Sequence, residues 1–194
     1  MVIGLTGKSC SGKNEAGNIL GQAGLEVWDL DRIAHRGLEE NREAVAAVFG
    51  PGASRASIGK VVFSDPEKRK QLEDILYPWL GKKISAWKDA NPDGVLVING
   101  ALLHRAGFHL MCDAVIFVDA PFDVRLKRAL GRDGVTEEQF RLRESSQDDV
   151  DYRVVDYVVP LHVISNGDLN LDELRRQVLN ICDKIGVLTV PAQA

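Results

Sequence analysis

Cysteine is scarce in this chain. The three, Cys10, Cys112 and Cys182, are odd in number and lack metal-ligand spacing. That excludes a disulfide-stapled framework and a zinc-finger pattern, and it suits reduced thiols. No apolar run reaches the ~20 residues of a membrane-spanning helix, and no basic-then-apolar leader precedes the first strand. The expectation is therefore a soluble, cytoplasmic protein with no membrane partner. There is no excess of positive charge either: 24 Lys and Arg stand against 28 Asp and Glu, for a net charge of -4. Such a balance gives no footing for nucleic acid. Repeats and low-complexity tracts are absent. What is present is ordinary for a globular domain, 45% hydrophobic and 27% charged over 194 residues. That is enough for one core and an insertion, with oligomeric state left open.

Short apolar runs alternate with helical segments, the signature of a parallel sheet flanked by helices. Strands are expected over residues 2–6, 25–28, 95–98, 114–118 and 162–164. The last helix, Asn170 to Ile185, carries Leu171, Leu174, Val178 and Ile181 on one face. The stretch 38–92 is too long for a simple crossover and reads as a helical insertion. Its helices include Glu67 to Leu76 and Leu80 to Ala90, broken by Pro51-Gly52 and by Tyr77-Pro78. The core would then be 1–37 and 93–190. The charged span 125–151 has few apolar anchors and reads as a mobile lid over a site, and the tail after Gly186 as frayed.

Gly7-Lys8-Ser9-Cys10-Ser11-Gly12-Lys13-Asn14 completes the pattern G-x-x-x-x-G-K between a buried strand and a helix. In that setting glycines let backbone N–H groups converge on a phosphate chain, the helix N-terminus adds its positive end, and Lys13 reaches the phosphates. The hydroxyl expected next, a Mg²⁺ ligand, is Asn14. Asp29 and Asp31 close the second strand. At strand spacing both face the ligand crevice, one as general base for a hydroxyl, the other holding a Mg²⁺-bound water or orienting substrate; capping of the next helix by Asp31 is the plainer alternative. Arg128, Arg132, Arg141 and Arg143 lie on the lid span, where a guanidinium can match phosphoryl oxygens or merely be solvated. Trp79 and Trp87 read as packing residues, and His104 and His109 as isolated histidines without a third metal ligand.

Together these residues resemble the dephospho-coenzyme A kinase family. Ile3-Gly4-Leu5-Thr6-Gly7 with Ser11-Gly12-Lys13 resembles its opening, and Val27 through Ala34 its V-I-D-A-D-x-I-A segment. Val62 to Glu67 and Leu72 through Pro78 resemble its insertion. Leu126-Lys127-Arg128, Arg132-Asp133, Thr136, Glu138, Arg143 and Gln147 are similar to its lid, and Ile164-Ser165-Asn166 to its I-D-N segment. The resemblance implies an α/β, three-layer P-loop kinase core with a parallel five-stranded sheet, a helical substrate-binding insertion and a helical lid. It implies transfer of the ATP γ-phosphoryl to the ribose 3′-hydroxyl of dephospho-coenzyme A, with Mg²⁺. By position, Asp31, Lys13 and Arg143 would be catalytic. Lys8, Ser9, Cys10, Ser11, Gly12, Lys13, Asn14, Arg132 and Asn166 would bind ATP, Asn166 near adenine. Thr6, Asp29, Asp31, Tyr77, Leu103 and Arg105 would bind the acceptor, and Asn14, with Asp29 through water, the metal. Five positions depart from the family: Asn14, Lys8 in place of a loop glycine, Tyr77 in place of His, and Asn99 and Arg105 in place of acids. A kinase of another nucleoside-like acceptor, or a nucleotide-binding homologue without catalysis, are the alternatives.

Overall fold

Five strands form one parallel sheet in a computed structural model that describes residues 1–132 and 134–187. They are β1 (Val2–Thr6), β2 (Glu26–Asp29), β3 (Leu96–Asn99), β4 (Ala114–Asp119) and β5 (Leu161–Ser165), in the order β2-β3-β1-β4-β5. Strand β1 is central, with Leu5 in register with Asn99 on one side and Ile116 on the other. β1 and β3 are buried throughout and β4 up to its last residue, which is why they read as unbroken apolar runs. β5 lies at the edge and only Ile164 is buried. The expected α/β class and sheet are what the structure shows, with every strand end within one residue of expectation.

Helices α1 (Lys13–Gln22) and α8 (Leu171–Lys184) complete the main core. Ile19 and Leu20 meet Ile3, Leu5, Val118, Leu174 and Val178 there. Helix α8 starts at a capping box, Asn170 with Glu173. No described helix is long and apolar enough to cross a membrane.

Two compact units divide the chain: Met1–Trp28 with everything from Asp93 onward, and Asp29–Pro92. The second unit contains α2 (Leu30–Glu40), α3 (Arg42–Phe49), α4 (Arg55–Ser64) and α5 (Pro66–Ala90). It starts at Asp29, ahead of residue 38, because α2 packs on α5. Gly37 makes that approach possible: a Cβ there would lie 2.9 Å from Trp79 and 3.0 Å from Leu76. Tyr77-Pro78 does not break the helix. Helix α5 runs 25 residues through Pro78, losing one backbone bond while Leu76, Leu80 and Ile84 stay buried. Tertiary packing outweighs the local penalty.

The lid span forms α6 (Phe122–Arg132) and α7 (Glu137–Ser145). It is better anchored than its composition suggests. Phe140 is wholly buried, its ring 5.5 Å from Phe122, and Ala129 and Val150 are buried too. Asp133, the Arg132 side chain and the tail from residue 188 lie outside the described residues.

Candidate functional site

The loop between β1 and α1 turns on glycines at positions where any side chain would be strained. Gly7 has φ 147° and Gly12 φ 104°. A Cβ on Gly7 would run into the Val118 carbonyl, and one on Gly12 into Asn166 Nδ2. Gly12 is the N-cap of α1 and brings no side chain to it. Helices α2, α4, α5, α7 and α8 are each capped by a side chain, Asp29, Ser54, Asp65, Thr136 and Asn170. Helix α1 thus starts without a side-chain cap, which is what an anion site at its N-terminus requires. Cys10 has φ 62° and is the non-glycine residue in the left-handed region among those described, a costly conformation that the loop imposes.

Side chains from distant segments brace this loop. Asn166 Nδ2 donates to Ser11 O at 2.7 Å while its own N–H donates to Asp119 O at 2.6 Å. Arg128 points NH1 at Cys10 O and Ser11 O, at 3.4 and 3.3 Å, and NH2 at Gly167 O. Ser9 N–H donates to Gln147 Oε1 at 2.8 Å. Lys8 Nζ bonds Glu144 Oε1 at 2.8 Å, and Arg125 NH1 and NH2 bond the two Glu144 oxygens. Burial pushes the Glu144 carboxyl up, but the hydrogen bonds and charges of Arg125 and Lys8 hold it below the ordinary range. Beside the loop lies a cavity of about 440 Å³ lined by Gly12, Arg128, Asn166, Leu169, Leu171 and Leu174 among others.

At the other flank Asn14 Oδ1 accepts from Lys13 Nζ at 2.8 Å and from Asn99 Nδ2 at 3.2 Å. Asn99 is buried at the end of β3, and its Oδ1 has no partner among the described atoms. The described residues contain no group of three or more His, Cys, Asp or Glu that could hold a metal. The oxygen donors at this flank are two neutral amides, one already engaged. They fit a hard cation whose charge is met mainly by phosphates and water.

The other expected site residues are placed as follows. Asp29 caps α2, its carboxylate accepting from Arg32 N–H at 3.0 Å. Capping therefore belongs to Asp29, and Asp31 is an exposed carboxylate in the first turn of the helix. The two do not stand at strand spacing, because the strand ends at Asp29. Tyr77 is half-buried on α5. Leu103 has no exposed surface and fills the core against Gly4. Thr6 is likewise buried, with Oγ1 on Ala101 O at 3.2 Å. Arg105 is bidentate to Asp149 and donates to Ser146 O at 2.9 Å. Arg143 sits half-buried in the last turn of α7, and Arg141 pairs with Glu137 on the exposed face. Sequence reasoning missed Arg125 and Glu144 as site residues; separations of 116 to 136 residues leave no local signal for such contacts.

A phosphate loop on the central strand of a five-stranded parallel sheet, with a helical unit between β2 and β3, defines a P-loop kinase fold. A solved protein of Thermus thermophilus superposes with a TM-score of 0.81 at 25% identity, covering 98% of both chains. The dephospho-CoA kinase of Campylobacter jejuni has the same fold, with a TM-score of 0.66 at 23% identity over 95% of this chain and 96% of its own. The dephospho-CoA kinase family profile matches residues 1–169. A dephospho-CoA kinase of Moorella thermoacetica is 34% identical over 184 residues, 87% of this chain and 85% of its own. The chain belongs to the dephospho-CoA kinase family.

Proposed function

We propose that this chain transfers the γ-phosphoryl of ATP to the ribose 3′-hydroxyl of dephospho-coenzyme A, giving coenzyme A and ADP. The observation that carries the reading is the uncapped N-terminus of α1 behind a braced glycine loop, on a chain of this family. Lys13 and the first amides of α1 take the β- and γ-phosphates. The cavity beside Asn166 takes the adenine, with Leu171 and Leu174 giving it apolar walls and the loop amides the phosphate end. Asn166 then acts on the nucleotide chiefly through the loop it braces.

Asp31 serves as the base for the acceptor hydroxyl. It is the exposed carboxylate of the pair, whereas Asp29 is spent on the helix cap. Arg143 meets the charge that develops on the transferring group. A Mg²⁺ bound with ATP would neutralise phosphate charge. Asn14 and Asn99 are the residues that would face it, as neutral oxygen donors.

The test is direct. Purified protein with ATP, Mg²⁺ and dephospho-coenzyme A is expected to yield coenzyme A and ADP, and Asp31→Asn to lower kcat about 10²–10⁴-fold. ATP binding without any turnover of dephospho-coenzyme A would refute the reading and leave a nucleotide-binding homologue.

A further inference from the structure

Two consecutive loop residues, Lys8 and Ser9, are bonded to Glu144 and Gln147, three residues apart at the end of α7. The Lys8 and Glu144 side chains keep 21% and 18% of their exposure, so this is not a solvated surface pair. Between them and the sheet stands Arg125, 5% exposed. Its Nε is fixed on Ala120 O at 2.9 Å, at the end of β4, and its other two nitrogens fork onto Glu144. Arg125 NH1 also reaches Ser9 O at 3.4 Å. One carboxylate thus joins three segments: loop, β4–α6 junction and α7. A bidentate arginine and a part-buried lysine share it, an arrangement less weakened by salt than an exposed pair.

We infer that Lys8, Glu144 and Arg125 form an ionic clamp that holds α7 on the phosphate loop before nucleotide binds, with Lys8 as a positioning residue for the lid. Glu144 follows Arg143, so the clamp sets where the lid arginine is presented. Lys8 stands where the family has a loop glycine, which has no side chain to make this link. An unclamped lid must be ordered by ATP itself; a clamped one is ordered in advance, so less of the nucleotide's binding energy goes into ordering α7. The kinetic consequence rests on the kinase reading above, whereas the clamp itself does not.

The clamp is tested first without ligand, by hydrogen exchange on wild type, Lys8→Met, Lys8→Arg and Glu144→Gln. Lys8→Met is expected to speed exchange of the α7 amides about tenfold while β1 and β4 are unchanged, and Lys8→Arg to restore protection. In the kinase assay Lys8→Met should raise KM for ATP about fivefold. The same change in a Glu144→Gln background should add little. Lys8→Met leaves the Arg125–Glu144 fork intact, so it decides the matter even if Glu144→Gln folds poorly. Unchanged α7 exchange in Lys8→Met overturns the clamp. So does an equal KM increase in both backgrounds, which would make Lys8 a phosphate ligand only. Wild-type protein that fails to turn over dephospho-coenzyme A would overturn the kinase reading while leaving the exchange result to judge the clamp.

Discussion

Gly12→Ala tests whether the loop's shape depends on one glycine and one asparagine. Gly12 has φ 104°, so an alanine there carries about 1–2 kcal/mol of backbone strain. Its Cβ would also collide with Asn166 Nδ2, far inside the 3.0 Å that real Cβ atoms respect. Asn166 is buried and cannot swing into water, so it must give up its 2.7 Å bond to Ser11 O. Losing that bond and burying its ends unpaired costs about 1–3 kcal/mol more. The sum, about 2–5 kcal/mol, is a large share of the 5–15 kcal/mol of a typical domain. Asn166→Ala alone should cost about 1–3 kcal/mol, since it removes the brace and the obstacle together. In that background Gly12→Ala should cost only its strain, about 1–2 kcal/mol. Urea unfolding of the four proteins measures the coupling, expected at 1 kcal/mol or more. Equal costs of Gly12→Ala in both backgrounds would sink the claim that Asn166 braces the loop.

Cys10→Gly relaxes a left-handed non-glycine residue worth about 1–2 kcal/mol, against about 0.5–1 kcal/mol of added chain entropy; thermal unfolding should show an unchanged or raised midpoint. Asn14→Ser combined with Asn99→Asp supplies the hydroxyl and carboxylate expected of a Mg²⁺ site. Isothermal titration should then show ATP affinity gaining several-fold in Mg²⁺ dependence over wild type, whose donors are two amides. Burial, then the neighbouring charge of His104, lowers the pKa of His109, whose ring centroid is 4.5 Å from that of His104 and 6.0 Å from that of Tyr157. An unfolded histidine titrates near 6.5, so the folded state binds fewer protons just below that pH. Stability contributed by neutral His109 is complete above pH 6.5 and is lost as pH falls toward the lower folded value. Urea midpoints should drop between pH 7.5 and 5.5, and His109→Asn should flatten the slope.

How much of this was legible in the sequence depended on the range of the interaction. The strand–loop–helix unit was readable because its signals are local: an apolar run, glycines at fixed offsets, Lys13. The buried strands were readable because parallel sheets demand apolar residues on both faces. Helix α5 was misread at Pro78 because the packing of Leu76 and Trp79 that carries it through involves α2, some forty residues away. Which aspartate caps α2 was not legible because either could serve by pattern, and only the end of β2 at Asp29 decides between them.

The departures from the family pattern show the same division more sharply. Taken singly, Lys8, Asn14, Asn99 and Arg105 each look like damage to a site. In the fold they are paired: Asn14 with Asn99 at 3.2 Å, Lys8 with Glu144 at 2.8 Å, Arg105 with Asp149 and Ser146. The Asn99 side-chain N–H group is met by the Asn14 side-chain carbonyl while Asn99 Oδ1 stays unpartnered among the described atoms, and either residue opposite its ordinary partner would make a different bond with a different charge. Mutating one member back alone therefore changes two things, the residue and the fit of its partner. Single reversions should underperform the paired ones, Asn14→Ser below Asn14→Ser with Asn99→Asp in Mg²⁺-dependent ATP affinity. If Asn14→Ser alone gives the full gain, the two asparagines do not act as a unit, and the loop carries independent substitutions after all.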